Sequence, residues 1–118
     1  MSWSRWIDLN PNEVSDETPA TRGVYCIARR NDPLQYPNVP SLTVYIGMAP
    51  DRQRGLRAVL RELAGGSDRT IEQEGKGHGG LRFCFQGNLG DGVEQLHARL
   101  LADFALVHGE QPCCNGRL

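Results

Sequence analysis

The chain has 118 residues, of which 39% are hydrophobic and 23% charged, which suits one folded domain and is too apolar for a disordered chain. Lys and Arg number 13 against 14 Asp and Glu, and the net charge of −1 argues against a domain held on DNA by bulk charge alone. The N-terminus has no signal-peptide pattern, and no stretch approaches the ~20 apolar residues of a membrane span. A secreted or membrane-embedded protein is therefore disfavoured.

The four cysteines indicate a reducing compartment. Cys26 and Cys84 lie in apolar, strand-like runs, where a free thiol behaves as a small core residue. Cys113 and Cys114 are adjacent, and no CxxC pair occurs, so the spacing argues against a zinc ribbon and a disulfide framework. We expect reduced thiols in a cytoplasmic protein.

The first half of the chain predicts an arm followed by a hairpin. Residues 1–22 are polar and acidic and are expected to form an arm on a domain made by residues 23–118. Residues 23–28 and 42–46 have the β-branched and aromatic content of strands. The segment between them, residues 31–41, is rich in Pro and Asn and predicts a loop. Two strands joined by one loop suggest an antiparallel hairpin.

The second half predicts two helices and a third strand. Residues 55–63 carry Leu and Val at helical spacing. Residues 64–80 contain six glycines and predict a mobile loop. Residues 81–85 alternate as a half-buried strand, and residues 93–108 predict a last helix that ends at Gly109. The order indicates an α/β (α+β) fold, with a small three-stranded antiparallel sheet flanked by helices.

Two tripeptides on the hairpin point to a family. Gly23-Val24-Tyr25 lies on the first strand and Tyr45-Ile46-Gly47 on the second. The chain resembles the GIY-YIG nuclease superfamily, which is named after this pair of motifs. The runs Gly77-His78-Gly79-Gly80 and Pro112-Cys113-Cys114-Asn115 stand where the family has a glycine-flanked histidine and a closing Pro-x-x-Asn. The resemblance covers residues 23–115.

The resemblance implies a metal-dependent endonuclease that hydrolyses phosphodiester bonds in DNA with a divalent cation, Mg²⁺ or Mn²⁺. Its implied catalytic residues are Tyr25, Tyr45, Arg57 and His78, and its implied supporting residues are Gly23, Gly47 and Asn115. A tyrosine, whose ordinary pKa is ~10, can act as general base only if a neighbouring positive charge lowers its pKa or a relay takes the proton.

The sequence departs from the family pattern at an arginine. The run from Gly55 to Arg61 places Val59 where one branch of the family has its functional arginine. Arg57 or Arg61 would take over, and we favour Arg57. The alternative is a pair of solvated charges on the helix surface. Together with Arg52 and Arg54 these arginines form a positive cluster that suits phosphate contacts.

The metal-binding acid is the second departure. The run from Leu96 places His97 where the family has a glutamate, whereas counting twelve residues back from Asn115, as in many members, points to Asp103. On a helical wheel His97 faces the sheet and Asp103 lies on the flank. We expect His97 or Asp103 to hold the metal, with Glu94 as a third candidate.

These departures keep a second hypothesis open. A GIY-YIG-like domain that no longer cleaves would act by binding nucleic acid or a protein partner. DNA is the expected partner in the first case. A homodimer or a protein partner would supply the specificity that a chain of 118 residues has no second domain to provide.

Overall fold

The computed structural model describes residues 3–51 and 53–115. It contains a four-stranded antiparallel sheet in the order β1-β4-β2-β3. In chain order the elements are β1 (Ile7–Asp8), α1 (Pro11–Glu17), β2 (Gly23–Arg29), β3 (Thr43–Ala49), α2 (Gly55–Ala64), α3 (Arg69–Gly75), β4 (Leu81–Gln86) and α4 (Val93–His108), with a 3-10 turn at Gly90–Gly92 before α4. The α+β class is as the sequence predicts.

The expectation of a three-stranded sheet is wrong, because β1 adds a fourth strand. Ile7 pairs with Phe83 and Asp8 with Arg82, so β1 extends the sheet beside β4. A strand of two residues is too short to show an alternating pattern, and the sequence therefore gives no sign of it. Residues 1–22, predicted as an arm, thus contribute β1 and α1, and the side chains of Ile7 and Val14 are buried.

The expectation of a mobile loop over residues 64–80 is also wrong, because α3 lies within it. The Asp68 side chain caps this helix by accepting hydrogen bonds from the backbone amides of Thr70 and Ile71. Ile71 is only 2% exposed. One buried apolar residue in a short helix produces no periodicity, which is why the glycines dominate the sequence pattern.

The hairpin, α2, β4 and α4 are confirmed. Strands β2 and β3 pair antiparallel, with Tyr25 opposite Gly47 and Cys26 opposite Ile46. A register shift between Ile27 and Ala28 marks a β-bulge opposite them in β3. Helix α4 spans Val93–His108, as predicted, and ends at Gly109 in a left-handed conformation.

The sheet has two unlike faces. Alternate residues of β2, among them Tyr25 and Ile27, join a buried cluster that includes Leu56, Leu60 and Ile71 from α2 and α3. We call this side the tyrosine face. The intervening residues, such as Val24 and Ile46, point to the other side, where α4 contacts β3 and β2. We call that side the α4 face.

Candidate functional site

The two halves of the sequence motif meet on the tyrosine face. The rings of Tyr25 and Tyr45 have centroids 6.0 Å apart at an angle of 44°. Gly47 lies beneath both rings, since a Cβ placed there would be 2.3 Å from Tyr25 Cζ and 2.6 Å from Tyr45 Cε2. A side chain at position 47 would therefore displace the rings. The motif builds one compact cluster, as the resemblance implies.

The protonation of Tyr25 is opposite to what a general base needs. Its side chain is 4% exposed, and burial is the main cause that raises its pKa well above the ordinary value. The charge and the hydrogen bond of Tyr45 raise the pKa further, as does the charge of Asp68. All of these effects favour the protonated form of the Tyr25 hydroxyl.

Arg57 binds the end of a neighbouring helix. Its Nε donates a hydrogen bond of 2.8 Å to the carbonyl oxygen of Thr18, directly after α1. The Arg57 backbone amide donates to the carbonyl oxygen of Pro19 at 3.2 Å. Arg57 therefore fastens α2 to the C-terminal end of α1, and this contact uses part of its guanidinium.

The other arginines of the predicted cluster differ in their surroundings. Arg54 forms an ion pair with Glu62. Arg61 is exposed in the last turn of α2, and Arg52 lies outside the described residues. The ion pair of Arg54 lowers the positive charge that this surface offers to a phosphate.

His78 lies at the other end of the sheet from the tyrosines. Its Nδ1 is 2.9 Å from Oδ2 of Asp32, and its carbonyl oxygen accepts from the backbone amide of Asn31. Asn31 follows the C-terminal end of β2, whereas Tyr25 is near the beginning of that strand. Six extended residues span roughly 20 Å, and the four from Ile27, the partner of Tyr45, to Asn31 span roughly 13 Å, so His78 lies apart from both tyrosines.

The predicted metal ligands on α4 do not converge. His97 Nε2 is 2.9 Å from the carbonyl oxygen of Ile46. Since a carbonyl only accepts, Nε2 carries the proton in this contact. Asp103 is 65% exposed, and its Oδ2 is 3.9 Å from Nε of Arg99. Glu94 is exposed in the first turn of the helix. Helix α4 also lies across the sheet from Tyr25 and Tyr45.

Asn115 is joined to the motif through the backbone. Its Oδ1 accepts from the amide of Ile46 at 2.8 Å, and its Nδ2 donates to the carbonyl oxygen of the same residue at 2.8 Å. Strand β3 is an edge of the sheet, and the Asn115 side chain takes the place of a further strand there. Residues 112–115, which we call the closing segment, therefore cover the outer edge of β3.

Gly23 is also confined by its surroundings. A Cβ at this position would lie 2.2 Å from the carbonyl oxygen of Gln86 and 2.5 Å from Leu56 Cδ1. Gly23 therefore allows β2 to begin close to both β4 and α2. Its role in the structure is one of packing beside the tyrosine cluster.

Asp68 is not among the site residues predicted from the sequence. Its negative charge acts on Tyr25, and its side chain caps α3, which packs on the tyrosine face through Ile71. The N-cap position is the one available signal, and it appears only once α3 is recognised.

Cys113 and Cys114 form a second cluster with Glu74. The two Sγ atoms are 3.8 Å apart. A hydrogen bond from Cys114 lowers the pKa of the Cys113 thiol to about 7, against the opposing effect of burial. The sequence shows that the cysteines are adjacent, but it does not show that they lie near Glu74. Glu74 belongs to α3, and only the tertiary structure brings this helix close to the cysteines.

Comparisons with protein-family models, curated proteins and solved structures find no match to this chain. Over the part of the chain that the structure describes, no helix has the length and apolar character needed to cross a membrane. The functional argument therefore depends on the residues themselves.

Proposed function

We propose that this chain is a metal-dependent endonuclease of the GIY-YIG type that hydrolyses phosphodiester bonds in DNA. The observation that supports it is the cluster of Tyr25, Tyr45 and Gly47, in which two separate tripeptides of the motif meet. The Asn115 bonds to Ile46 support it further, since they join the closing Pro-x-x-Asn to the same motif.

The two tyrosines have different roles in this proposal. Tyr25 is buried and its pKa is raised, so it keeps its proton and positions its partner. Tyr45 is only half-buried. In this proposal Tyr45 is therefore the group that takes the proton from the attacking water, because it is the more exposed of the two tyrosines.

The divalent cation, Mg²⁺ or Mn²⁺, would polarise the phosphate. His97 and Asp103 do not fit such an ion together with the tyrosines, since α4 lies on the opposite face. Asp68 fits better, because it caps α3, which packs on the tyrosine face through Ile71, and because its charge acts on Tyr25. Mg²⁺ is commonly held by one or two carboxylates and by the phosphates of the substrate. Asp68 is the ligand in our proposal.

Cleavage of supercoiled plasmid with Mg²⁺ or Mn²⁺ tests the proposal. Tyr45→Phe and Asp68→Asn are expected to lower the cleavage rate by about 10²- to 10⁴-fold. Asn is itself a good N-cap, so Asp68→Asn removes the charge and keeps α3. The matched controls are Tyr36→Phe, whose hydroxyl binds Thr43, and Asp91→Asn, whose carboxylate pairs with Arg22. Both should cleave like the wild type.

Three results would contradict parts of the proposal. Cleavage that survives in Tyr45→Phe would remove the tyrosine cluster from the mechanism. If His97→Gln or Asp103→Asn loses cleavage while Asp68→Asn remains active, the metal ligand would lie on α4 instead. A pure wild-type protein that leaves the plasmid intact with both metals would overturn the nuclease itself.

A second candidate function is a GIY-YIG-like domain that binds nucleic acid without cutting it. The bond between His97 and Ile46 favours it, since the residue at the family's acid position serves the backbone instead. This candidate predicts that labelled DNA binds without a metal, remains intact, and dissociates steeply as salt is raised. Fluorescence anisotropy followed by a denaturing gel of the same sample separates the two functions.

A further inference from the structure

Three metal-binding side chains from distant parts of the chain meet beside β3. Glu74 comes from the last turn of α3, and Cys113 and Cys114 come from the closing segment. Their ligand atoms all lie within 4.8 Å of one another. Across residues 3–51 and 53–115, this is the one group of three or more His, Cys, Asp and Glu side chains with such spacing.

We propose that Glu74, Cys113 and Cys114 form a binding site for Zn²⁺. The distance between the two Sγ atoms is 3.8 Å. Two thiolates on one tetrahedral zinc, each with a bond of ~2.3 Å, are separated by ~3.8 Å. The sulfur atoms thus already have the separation that the ion requires, and a water molecule on the exposed side of Cys113 would complete the tetrahedron.

The chemistry of the donors selects the metal. Thiolates are soft ligands that favour zinc over Mg²⁺ and Ca²⁺, which prefer oxygen. The Arg29 guanidinium lies against Glu74, with Nη2 2.7 Å from Oε1. Two thiolates and one carboxylate would carry three negative charges, and a divalent ion together with Arg29 balances them.

Neighbouring groups hold each ligand in place. The Cys114 amide donates to the carbonyl oxygen of Val44 at 2.9 Å, and the Cys113 amide donates to the hydroxyl of Tyr36 at 3.0 Å. Arg29 Nε donates to the carbonyl oxygen of Glu74 at 2.9 Å. These contacts fix the backbone from which the ligands project, and the Arg29 contact to Oε1 orients the Glu74 carboxylate itself. A bound ion would connect α3 to the closing segment.

Cobalt titration of the full chain, reduced and stripped of metal, tests the site. Co²⁺ is a spectroscopic stand-in for zinc, and thiolate coordination gives a charge-transfer band in the near ultraviolet. We expect saturation at one cobalt per chain and loss of the band on addition of Zn²⁺. Cys113→Ser and Glu74→Gln should each weaken binding by more than ~100-fold, since even outer contacts contribute 10- to 100-fold.

The controls are matched in residue type. Cys26→Ser removes a thiol on the α4 face, and Glu72→Gln changes an exposed acid of α3; both should bind cobalt like the wild type. Cys113 is exposed, so Cys113→Ser is expected to fold, and circular dichroism checks this. The site is overturned if no band appears at equimolar cobalt, or if Cys26→Ser loses the band while Cys113→Ser keeps it. Neither result depends on DNA cleavage.

Discussion

The two faces of the sheet differ in how completely they are covered. On the tyrosine face, Leu56, Leu60 and Phe83 are each 0% exposed. On the α4 face, Trp3 and Trp6 are 38% and 39% exposed, and together with Ser4, Cys26 and Cys84 they line a cavity of about 390 Å³.

This difference matters for how the motif is interpreted. Tyr25 and Gly47 are core residues as well as motif residues, because the rings and the backbone pack directly against each other. The geometry of the cluster is therefore enforced by packing, whether or not it performs chemistry. On the α4 face, which carries the positions expected to bind metal, Val24 is equally buried, but the packing around Trp3 and Trp6 is more open.

The largest expected effect is a loss of stability when a leucine of the tyrosine face is truncated. Truncation of a leucine on the α4 face provides the comparison. Leu60→Ala on the tyrosine face should lower the free energy of unfolding by about 2–5 kcal/mol, because the cavity forms in a closed core. Leu100→Ala, at a half-buried position of α4, should cost about 1 kcal/mol or less. Urea denaturation measures both. Equal losses would show that the α4 face is packed as tightly as the other.

A methyl group at Gly47 tests the packing of the motif. Gly47→Ala should cost about 1–3 kcal/mol, because the new Cβ overlaps both tyrosine rings. Gly65→Ala is the control, since its φ is −82° and its nearest contacts are 3.5 Å away. It should change stability by less than about 1 kcal/mol, in the stabilising direction. Thermal unfolding of the two variants compares them, and similar melting temperatures would contradict the overlap.

Hydrogen exchange can distinguish the contacts that Asn115 and His97 make with the backbone of Ile46. Asn115→Ala should cost about 1–3 kcal/mol, since it leaves the Ile46 amide without its acceptor. Exchange of that amide should accelerate. His97→Ala should leave its exchange unchanged, because His97 contacts only the carbonyl oxygen, which Asn115 also binds. Slow exchange in Asn115→Ala would refute this arrangement.

The smallest effect is expected at alkaline pH. The folded state holds the proton of Tyr25 more tightly, since its pKa is raised by burial. The unfolded chain releases that proton near pH ~10, so this contribution to stability is complete below ~10 and is lost as the pH rises further. Tyr25→Phe should therefore show a shallower decline in its urea midpoint above pH ~10. An identical decline would mean that Tyr25 ionises normally.

The elements with strong patterns were predictable, and the short ones were not. Helix α4 has sixteen residues and a clear apolar stripe, so its bounds follow from the sequence. Helix α1 left a signal that the prediction did not use: Asn10 caps it, Pro11 follows, and Glu13 stands at the third helical position. Strand β1 has no such signal, because it forms only through its pairing with β4.

The candidate site was predictable only within the hairpin. Tyr25, Tyr45 and Gly47 come together because strand pairing fixes their register. No local rule states which face a distant helix covers, and the separation of His97 and Asp103 from the tyrosines follows from that choice. Asp68 depends on α3 in the same way, and Glu74 reaches the two cysteines only through the tertiary structure.

The closing segment has a consequence for how the chain behaves in solution. It occupies the Val44 carbonyl and both backbone groups of Ile46. A chain cut after Gln111 would keep the residues of every strand and helix but would lose this cover, together with the buried side chains of Pro112 and Cys114. The exposed edge of β3 could then pair with a strand of a second molecule. We therefore expect the truncated chain to associate with itself through β3 more readily than the full chain does.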